Sequence, residues 1–418
     1  MKRKWLAAAI ITVFTMTLSG CSSSGNNSVE EESTKQEESK TVALTIWAEE
    51  DTLDMLSGMV ESFKKHYSGE AEFDITLTVQ PDTGVKDTLL EDVHNGADVF
   101  YFPDDQLTGL VAAGALVPVP NADEVRSANL EEAAEAATLN HTLYAYPMTA
   151  DNGFFLYYDK HYLTEEDVKS LDGILAAAQS AGKKFSMEFS SGWYTYAFFG
   201  NTGLDFGMND DGVTNYCNWN ATEGAVKGTD IAQALLNITS HPAFLSQSDN
   251  DFPQSIKSGD VIAGISGVWN VMNVKEAWGD DYGATKLPTY TCAGQQIQMS
   301  SFTGYKMMGV NAYSEETEWA SKLADWLTNE ENQTIRFKER SQGPSNIKAA
   351  ASDEVSQVPA IKAVIEQSQY GSVQRVGNNY WTPFMEFAEI IINGNPNGLE
   401  LQEIMDTLVA GITASIIE

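Results

Sequence analysis

An alternation of strand and helix patterns that begins at Thr41 constrains the fold of this chain more than any other feature. Apolar residues follow strand periodicity over 42–46, 73–79 and 98–102, and helical periodicity over 53–63 and 85–93. This order predicts a βαβαβ unit, and therefore an α/β fold with a largely parallel sheet covered by helices. Ligands bind such sheets at the carboxyl ends of the strands, so the turns after Trp47 and Phe102 are the first candidates for a site.

Later segments continue the same pattern. The sequence predicts a strand over 261–266, one helix over 319–337 and another helix over 382–392. Asn209-Asp-Asp-Gly212 is typical of a hairpin turn.

The N-terminus has the organisation of a lipoprotein signal. Three basic residues precede an apolar run over 6–18, and Leu18-Ser-Gly-Cys21 resembles the lipobox. We therefore expect a signal peptide over 1–20 and a lipidated Cys21 that anchors the chain to the cell membrane. Residues 22–40 contain a single aliphatic side chain and no aromatic one, which predicts a disordered tether.

The charge balance and the absent motifs exclude several function classes. There are 59 acidic and 25 basic residues, for a formal charge of -34, so nucleic acid is not an expected partner. The sequence has no zinc-protease pair, no Gly-x-Ser-x-Gly elbow and no phosphate-binding loop. Ser62-Phe-Lys-Lys65 and Ser248-Asp-Asn250 match two penicillin-binding signatures, but the third, Lys-Thr-Gly, is missing. We expect no catalytic residue, no cofactor and no metal site.

An ordered set of motifs resembles the maltodextrin-binding family, the extracellular sugar-binding proteins of ABC importers. Its main landmarks are Tyr144-Ala-Tyr-Pro-Met-Thr-Ala-Asp151 and Phe155-Leu-Tyr-Tyr-Asp-Lys160. Leu44-Thr-Ile-Trp47, Gly264-Ile-Ser-Gly-Val-Trp269 and Tyr282-Gly-Ala-Thr-Lys-Leu-Pro288 agree in order and approximate spacing. The likeness extends from about Thr41 to the C-terminus.

The resemblance implies a two-lobed, periplasmic-binding-protein-like α/β fold with hinge crossovers between the lobes. The N-terminal lobe would contain residues 41–151 plus 284–324, and the C-terminal lobe 152–283 plus 325–418. On this division Cys217 and Cys292 lie in different lobes, and a disulfide between them would lock the hinge. We therefore expect two free thiols.

The resemblance also implies the residues of a sugar site. Trp193, Trp269 and Trp381 would be flat platforms for the apolar face of a pyranose ring, with Tyr194 beside them and Phe102 where maltodextrin binders often have tryptophan. Carboxylates would accept hydrogen bonds from sugar hydroxyls. The acidic candidates are Glu49, Glu50, Asp51, Asp105 and Asp151. Gln106 stands where the family's best-known member has arginine.

These residues predict a monomeric, membrane-tethered receptor without enzyme activity. It would capture an oligosaccharide, with a maltooligosaccharide or other α-glucan as the first expectation, and deliver it to the ABC permease subunits. Three alternatives stay open: a receptor for a different oligosaccharide, a lipid-anchored glycoside hydrolase that uses the same carboxylates, and a surface adhesin for insoluble starch.

Overall fold

The computed structural model describes residues 41–209, 211, 213–377 and 379–415. The signal peptide (1–20), Cys21 and the tether (22–40) lie outside the described residues, so what the sequence predicts for them stays a prediction.

The described chain alternates strands and helices throughout. The strands are β1 (Thr41–Ala48), β2 (Glu72–Val79), β3 (Val99–Pro103), β4 (Thr138–Leu139), β5 (Thr142–Leu143), β6 (Tyr146–Thr149), β7 (Phe154–Asp159), β8 (Lys184–Met187), β9 (Phe206–Met208), β10 (Asn215–Cys217), β11 (Phe244–Ser246), β12 (Val261–Gly267), β13 (Tyr282–Thr285), β14 (Thr289–Cys292), β15 (Gln295–Gln298), β16 (Ser301–Thr303), β17 (Lys306–Val310) and β18 (Gly371–Val373). The helices are α1 (Leu53–His66), α2 (Val85–Glu91), α3 (Leu107–Ala112), α4 (Ala122–Ala128), α5 (Glu131–Ala136), α6 (Leu171–Ser180), α7 (Gly192–Thr195), α8 (Gly228–Thr239), α9 (Phe252–Lys257), α10 (Val271–Trp278), α11 (Thr317–Leu327), α12 (Glu330–Arg340), α13 (Ile347–Ala350), α14 (Asp353–Gln357), α15 (Pro359–Ser368), α16 (Trp381–Ile392) and α17 (Leu401–Ile412).

The first sheet has five strands in the order β2-β1-β3-β17-β6. β1 is parallel to β2 and β3, whereas β17 is antiparallel to both β3 and β6. Alternate residues of β1, including Val42, Leu44 and Ile46, are buried in a core that α1 and α11 complete. The carboxyl ends of β1, β2, β3 and β6 therefore meet at one edge, together with the amino end of β17.

The second sheet also has five strands, in the order β11-β8-β12-β7-β13. β8 is parallel to β11 and β12, and β7 is antiparallel to β12 and β13. β7 is buried on both faces: Phe154 and Leu156 belong to one hydrophobic core, and Phe155 and Tyr157 to another. The carboxyl ends of β8, β11, β12 and β13 thus share an edge with the amino end of β7.

The chain leaves the first sheet after β6 and enters the second at β7, where the sequence places the first crossover. The predicted return at 284 differs from the structure, in which β13 pairs with β7, β16 pairs with β18, and Phe302 packs in the second sheet's core. The return instead lies between Thr303 and Lys306. The last crossover is also later than the predicted 325, because Ile335 still packs against the first core while Phe337 belongs to the second.

Both cysteines of the described chain belong to the second sheet's side of the molecule. Cys292 is buried in that core and Cys217 packs against it, and each is a free thiol. The two thiols are free as expected, but the reason given from the sequence does not hold, because Cys292 does not lie with the first sheet.

Among the residues that the structure describes, no helix combines the length and the apolar character that a membrane span requires.

Candidate functional site

Acidic side chains line the edge where the strands of the first sheet end. Glu49 follows β1, Asp82 follows β2, Asp104 and Asp105 follow β3, and Asp151 follows β6. They meet because parallel strands bring their carboxyl ends to one edge. The Asp82 amide donates to Glu49 Oε1 over 2.8 Å, and the Glu49 amide donates to the Tyr101 hydroxyl over 3.0 Å. Burial and the neighbouring Asp82 raise the pKa of Glu49.

A lysine neutralises part of this acidic edge. Lys306 opens β17, and its Nζ lies 2.5 Å from Asp82 Oδ2, with side chains 17% and 6% exposed. Burial opposes the lysine charge, but Asp82, Asp151 and Glu49 outweigh it and raise the pKa of Lys306. Asp151 accepts from the Gly343 amide, and burial raises its pKa to about 6. The edge therefore combines several hydrogen-bond acceptors with a buried lysine.

The turn after β3 holds two adjacent carboxylates in different surroundings. Asp104 accepts from the Tyr305 amide over 2.9 Å and from Arg375 Nη1 over 2.8 Å. Asp105 Oδ1 is buried and has no hydrogen-bond partner among the described residues. Burial, and then the charge of Asp104, raise the pKa of Asp105 to about 7. Asp105 Oδ1 is thus an oxygen that no described group of this chain satisfies.

The edge of the second sheet carries aromatic side chains fixed by a carboxylate. Trp269 follows β12, and its Nε1 donates to Asp249 Oδ2 over 2.6 Å. The other Asp249 oxygen accepts from Ser266 Oγ over 2.6 Å, and Asn270 Nδ2 donates to Oδ2 over 3.1 Å. A Cβ at Gly267 would lie 2.1 Å from the Trp269 ring, so only glycine allows the indole to lie flat over that backbone.

A second indole lies beside the first. The ring centroids of Trp193 and Trp269 are 5.8 Å apart with an interplanar angle of 43°, and Phe154 supports Trp193 at 4.7 Å. Trp193 Nε1 donates to Gln374 Oε1 over 2.8 Å. Since both ring nitrogens are used by the protein, what these indoles offer a ligand is their apolar faces.

The acidic edge and the aromatic edge face each other across a cleft. Lys306 Nζ, from the first sheet, lies 5.8 Å from the centroid of the Trp269 ring, from the second. The Arg375–Asp104 pair also joins the two sides, since Arg375 follows β18 and Asp104 follows β3. Arg340, the last residue of α12, forms a further ion pair with Asp51.

The structure places the predicted residues at different depths. Glu49, Asp105, Asp151, Trp193 and Trp269 all lie at the two facing edges. Tyr194 is buried in the second core, 5.1 Å from the Phe154 ring, and contributes to the Asp249 surroundings. Glu50 and Asp51 are exposed. Trp381 begins α16, is 38% exposed and packs edge-on against Tyr380 at 4.8 Å.

Two predicted residues have their surfaces occupied by the protein itself. Phe102 is fully buried within β3, 5.8 Å from the Phe100 ring, so no face of it is open in this conformation. Gln106 donates to the carbonyls of Asp82 and Thr83, and its Oε1 accepts from the Lys86 amide over 2.8 Å. Gln106 therefore holds the loop after β2 against the turn after β3.

Sequence reasoning missed five charged residues of the cleft. They are Asp82, Asp104, Asp249, Lys306 and Arg375. Asp82 and Asp104 follow strands that the sequence does predict, so the rule applied to the turns after Trp47 and Phe102 could have found both. The other three depend on β11, β17 and β18, short strands that the apolar pattern does not reveal.

This arrangement suits a ligand with both apolar faces and hydroxyl groups. Flat indoles pack against C–H surfaces, and carboxylates accept hydrogen bonds from hydroxyls. Within the described part of the chain, no group of three or more histidine, cysteine or acidic side chains could hold a metal ion.

Known proteins resemble this chain in sequence and in fold. A galactooligosaccharide-binding protein of Bacillus subtilis (strain 168) is 28% identical over 87% of this chain and 88% of its own length. The maltodextrin-binding protein MdxE of the same organism is 25% identical over 87% and 86%. A solved structure described as "with acarbose" is 28% identical and superposes with a TM-score of 0.79, covering 90% of this chain and 99% of its own.

The structural likeness confirms the predicted two-lobed α/β fold, in which each five-stranded sheet forms the centre of one lobe. A family profile described as "Bacterial extracellular solute-binding protein" matches residues 58–363, which is most of the chain. This chain therefore belongs to the bacterial extracellular solute-binding protein family.

Proposed function

We propose that this protein is the sugar-binding receptor of an ABC importer and that it captures an oligosaccharide in the cleft between its lobes. The observation that carries the proposal is the pair Trp193 and Trp269, whose ring nitrogens are held by Gln374 and Asp249. Two half-buried indoles with fixed nitrogens form a surface for successive pyranose rings. The proposal agrees with relatives that are named for binding oligosaccharides.

The first lobe would supply the polar contacts. Asp105 has a buried oxygen without a partner in the described chain, and a sugar hydroxyl would satisfy it. Glu49 lies at the same edge, while Lys306 offers donors to ring or hydroxyl oxygens. A wrong sugar would leave such groups unpaired, at a cost of ~1–3 kcal/mol for each group.

Binding and lobe closure would be coupled. A sugar that lies on the aromatic edge of one lobe reaches the carboxylates of the other only when the cleft narrows, so it stabilises the closed state over the open one. The permease would then recognise the closed, loaded form. Glu50, Asp51 and Trp381, which are exposed, are proposed to contact the outer units of the ligand.

The first candidate ligand is a maltooligosaccharide or other α-glucan. A galactooligosaccharide is the second candidate, because the Bacillus subtilis protein that matches with 28% identity is named for that ligand. We propose that neither sugar is hydrolysed. Three carboxylates of the cleft are held by groups of the protein, as expected of a rigid binding surface: Asp151 by Gly343, Asp104 by Arg375 and Asp249 by Trp269.

The N-terminus would anchor the receptor. We propose that cleavage before Cys21 exposes a cysteine that is lipidated, and that residues 22–40 link it to the folded body. Metabolic labelling with a radioactive fatty acid tests this directly, because a Cys21→Ser variant should carry no label and should appear in the medium.

Calorimetric titration tests the function. The protein should bind members of the maltooligosaccharide or galactooligosaccharide series with one-to-one stoichiometry, and prolonged incubation should release no shorter product. Trp269→Ala should weaken binding by ~30-fold, corresponding to the ~2 kcal/mol of a buried aromatic contact. Trp326→Ala is the matched control, because Trp326 lies on α11 and donates to Ser62 Oγ on α1, away from the cleft. Equal losses in both variants would remove Trp269 from the site, and turnover of the sugar would favour the hydrolase.

A further inference from the structure

A second cavity opens on the C-terminal lobe, outside the pair of indoles. Its volume is about 500 Å³, within the ~300–1,000 Å³ typical of small-molecule sites. The walls are formed by the β9–β10 hairpin on one side and by the β16–β18 pair on the other. We call it the distal groove and define it by Tyr196, Phe206, Tyr216, Phe302, Val373 and Arg375.

The distal groove has a rigid floor and an apolar rim. Tyr196 and Phe302 stack with ring centroids 4.0 Å apart and an interplanar angle of 12°, and both are buried. The Tyr196 hydroxyl donates to Ser372 Oγ over 3.2 Å, which ties the floor to β18. Tyr216 and Val373 are each 49% exposed, a large fraction for apolar side chains that border a concave surface.

The distal groove continues into the cleft through two consecutive residues. Gln374 directly follows Val373 and accepts from Trp193 Nε1, so the strand that forms the groove wall also holds one of the indoles. Arg375 lines the groove and at the same time donates to Asp104, which precedes Asp105 at the acidic edge. The distal groove therefore borders the cleft at Gln374 and Arg375.

We propose that the distal groove binds further pyranose units of the same oligosaccharide whose central units lie on Trp193 and Trp269. This inference rests on the proposed function. The groove mixes an aromatic ring and a branched aliphatic side chain with hydroxyl, amide and guanidinium groups, and each pyranose unit needs both kinds of contact. Arg375 Nη1 donates to the Asp104 carboxylate, so the protein itself already neutralises part of the arginine charge. The receptor thus selects for chain length: longer oligosaccharides bind more tightly than disaccharides.

The test is a chain-length series by calorimetry with the purified protein. Maltose through maltoheptaose, and galactobiose through galactotetraose, serve as the probes. Wild-type affinity should rise along the binding series until the groove is filled. Tyr216→Ala should weaken binding of the longest sugar by ~10-fold, and the shortest sugar that binds should keep its affinity within about twofold. Val373→Ala should have the same effect. Because Val373 lies on β18, outside the hairpin that contains Tyr216, this second variant shows whether the Tyr216→Ala result comes only from misfolding of the hairpin.

Tyr162→Ala is the matched control, since Tyr162 is 41% exposed on the same lobe after β7 and does not line the groove. It should leave both ends of the series unchanged. A wild-type affinity that is flat with chain length would overturn the groove assignment, as would groove variants that weaken short and long sugars equally. If the wild type binds no member of either series, it is the proposed function that fails.

Discussion

The hydrogen bond between Trp269 and Asp249 should be measurable as a coupling energy. Asp249→Asn removes the charge with little change of shape, and Trp269→Phe keeps an aromatic ring but removes the donor. Trp269→Phe removes the donor of the 2.6 Å bond from Nε1 to Oδ2, and Asp249→Asn replaces its charged acceptor by a neutral amide oxygen. The double variant lacks both the donor and the charged acceptor, so a double-mutant cycle isolates the charge-dependent part of their interaction.

The expected magnitude follows from the contacts. A hydrogen bond to a charged acceptor contributes ~1.5–3 kcal/mol, and Asp249 accepts such bonds from Trp269, Ser266, Asn270 and Tyr194. Burial raises the pKa of Asp249, so desolvation offsets part of this gain. We expect Asp249→Asn to reduce the free energy of unfolding by ~2–3 kcal/mol and the coupling energy with Trp269→Phe to be ~1.5 kcal/mol.

Urea unfolding followed by far-ultraviolet circular dichroism, without added sugar, measures all four proteins of the cycle. The free energy of unfolding must fall with urea concentration at the same slope in all four proteins, because only then do their unfolding midpoints compare their stabilities. A coupling energy below ~0.5 kcal/mol would mean that the bond does not hold the indole, because effects of unconnected residues add within that error. In that case the argument that Asp249 preorganises the platform is refuted, whatever the sugar affinity of the variants.

Two further predictions concern the turn after β3. Burial raises the pKa of Asp105 to about 7, above its value in the unfolded chain, so ionisation of this carboxyl opposes folding at high pH. The free energy of unfolding should therefore increase as the pH falls from 8 towards 5. Asp105→Asn should be more stable than wild type at pH 8. Its advantage over wild type should be larger at pH 8 than at pH 5 by on the order of 2 kcal/mol, and urea unfolding at both pH values measures it. Arg375→Gln should reduce the free energy of unfolding at pH 7 by ~1–2 kcal/mol, because it leaves the Asp104 carboxylate, 1% exposed, without its cation. The loss should be smaller than the ~3–5 kcal/mol of a fully buried pair, because the Arg375 side chain is 39% exposed. Adding Asp104→Asn to that variant should restore most of the loss, and a loss unchanged in the double variant would contradict the pairing.

Apolar periodicity was sufficient for the long elements of the fold. The predicted opening corresponds to β1, α1, β2, α2 and β3, because each of these segments buries one face or one stripe. The single helix predicted over 319–337 is two helices in the structure. The break falls where the Asn329 side chain accepts from the Asn332 amide and caps a new helix start, a local hydrogen bond that competes with helix continuation.

The short strands were beyond this reasoning. β16 and β18 have three residues each, and they pair although 67 residues lie between Thr303 and Gly371. Three residues are too few for a periodicity to appear, and partners so far apart are chosen by tertiary packing rather than by local sequence. The displaced boundary at 284 has the same cause, since the pairing of β13 with β7 keeps that part of the chain on the C-terminal lobe.

The site was predictable to the extent that it follows from strand ends. Glu49 and Asp105 follow strands that the sequence reveals, and they lie at the acidic edge together with Asp151, which the family resemblance implied. Asp249 belongs to the Ser248-Asp-Asn250 motif that matched a penicillin-binding signature by chance. Its contacts explain the residue differently, because Asp249 is needed to hold an indole and Ser248 to cap the short turn that follows it.

The division of chemistry between the lobes has a consequence for how the receptor would work. At the cleft, the first lobe contributes acceptors and a lysine, and the second contributes the indole faces, so neither edge of the cleft alone provides both kinds of contact that a pyranose needs. A sugar bound to one lobe would keep either its apolar faces or several of its hydroxyls in water, and the remaining contacts become available only on closure. Each additional contact formed across the cleft therefore adds to the free energy that favours the closed state, since a ligand shifts an equilibrium only by its difference in affinity for the two states.

Under the proposed function, variants of the acidic edge should weaken closure and binding together. Variants of the distal groove, which lies on one lobe, should weaken the binding of long sugars and leave the closure induced by short sugars unchanged. Small-angle scattering with and without a short sugar distinguishes the two classes, and a Tyr216→Ala protein that fails to close around the short sugar would contradict this assignment.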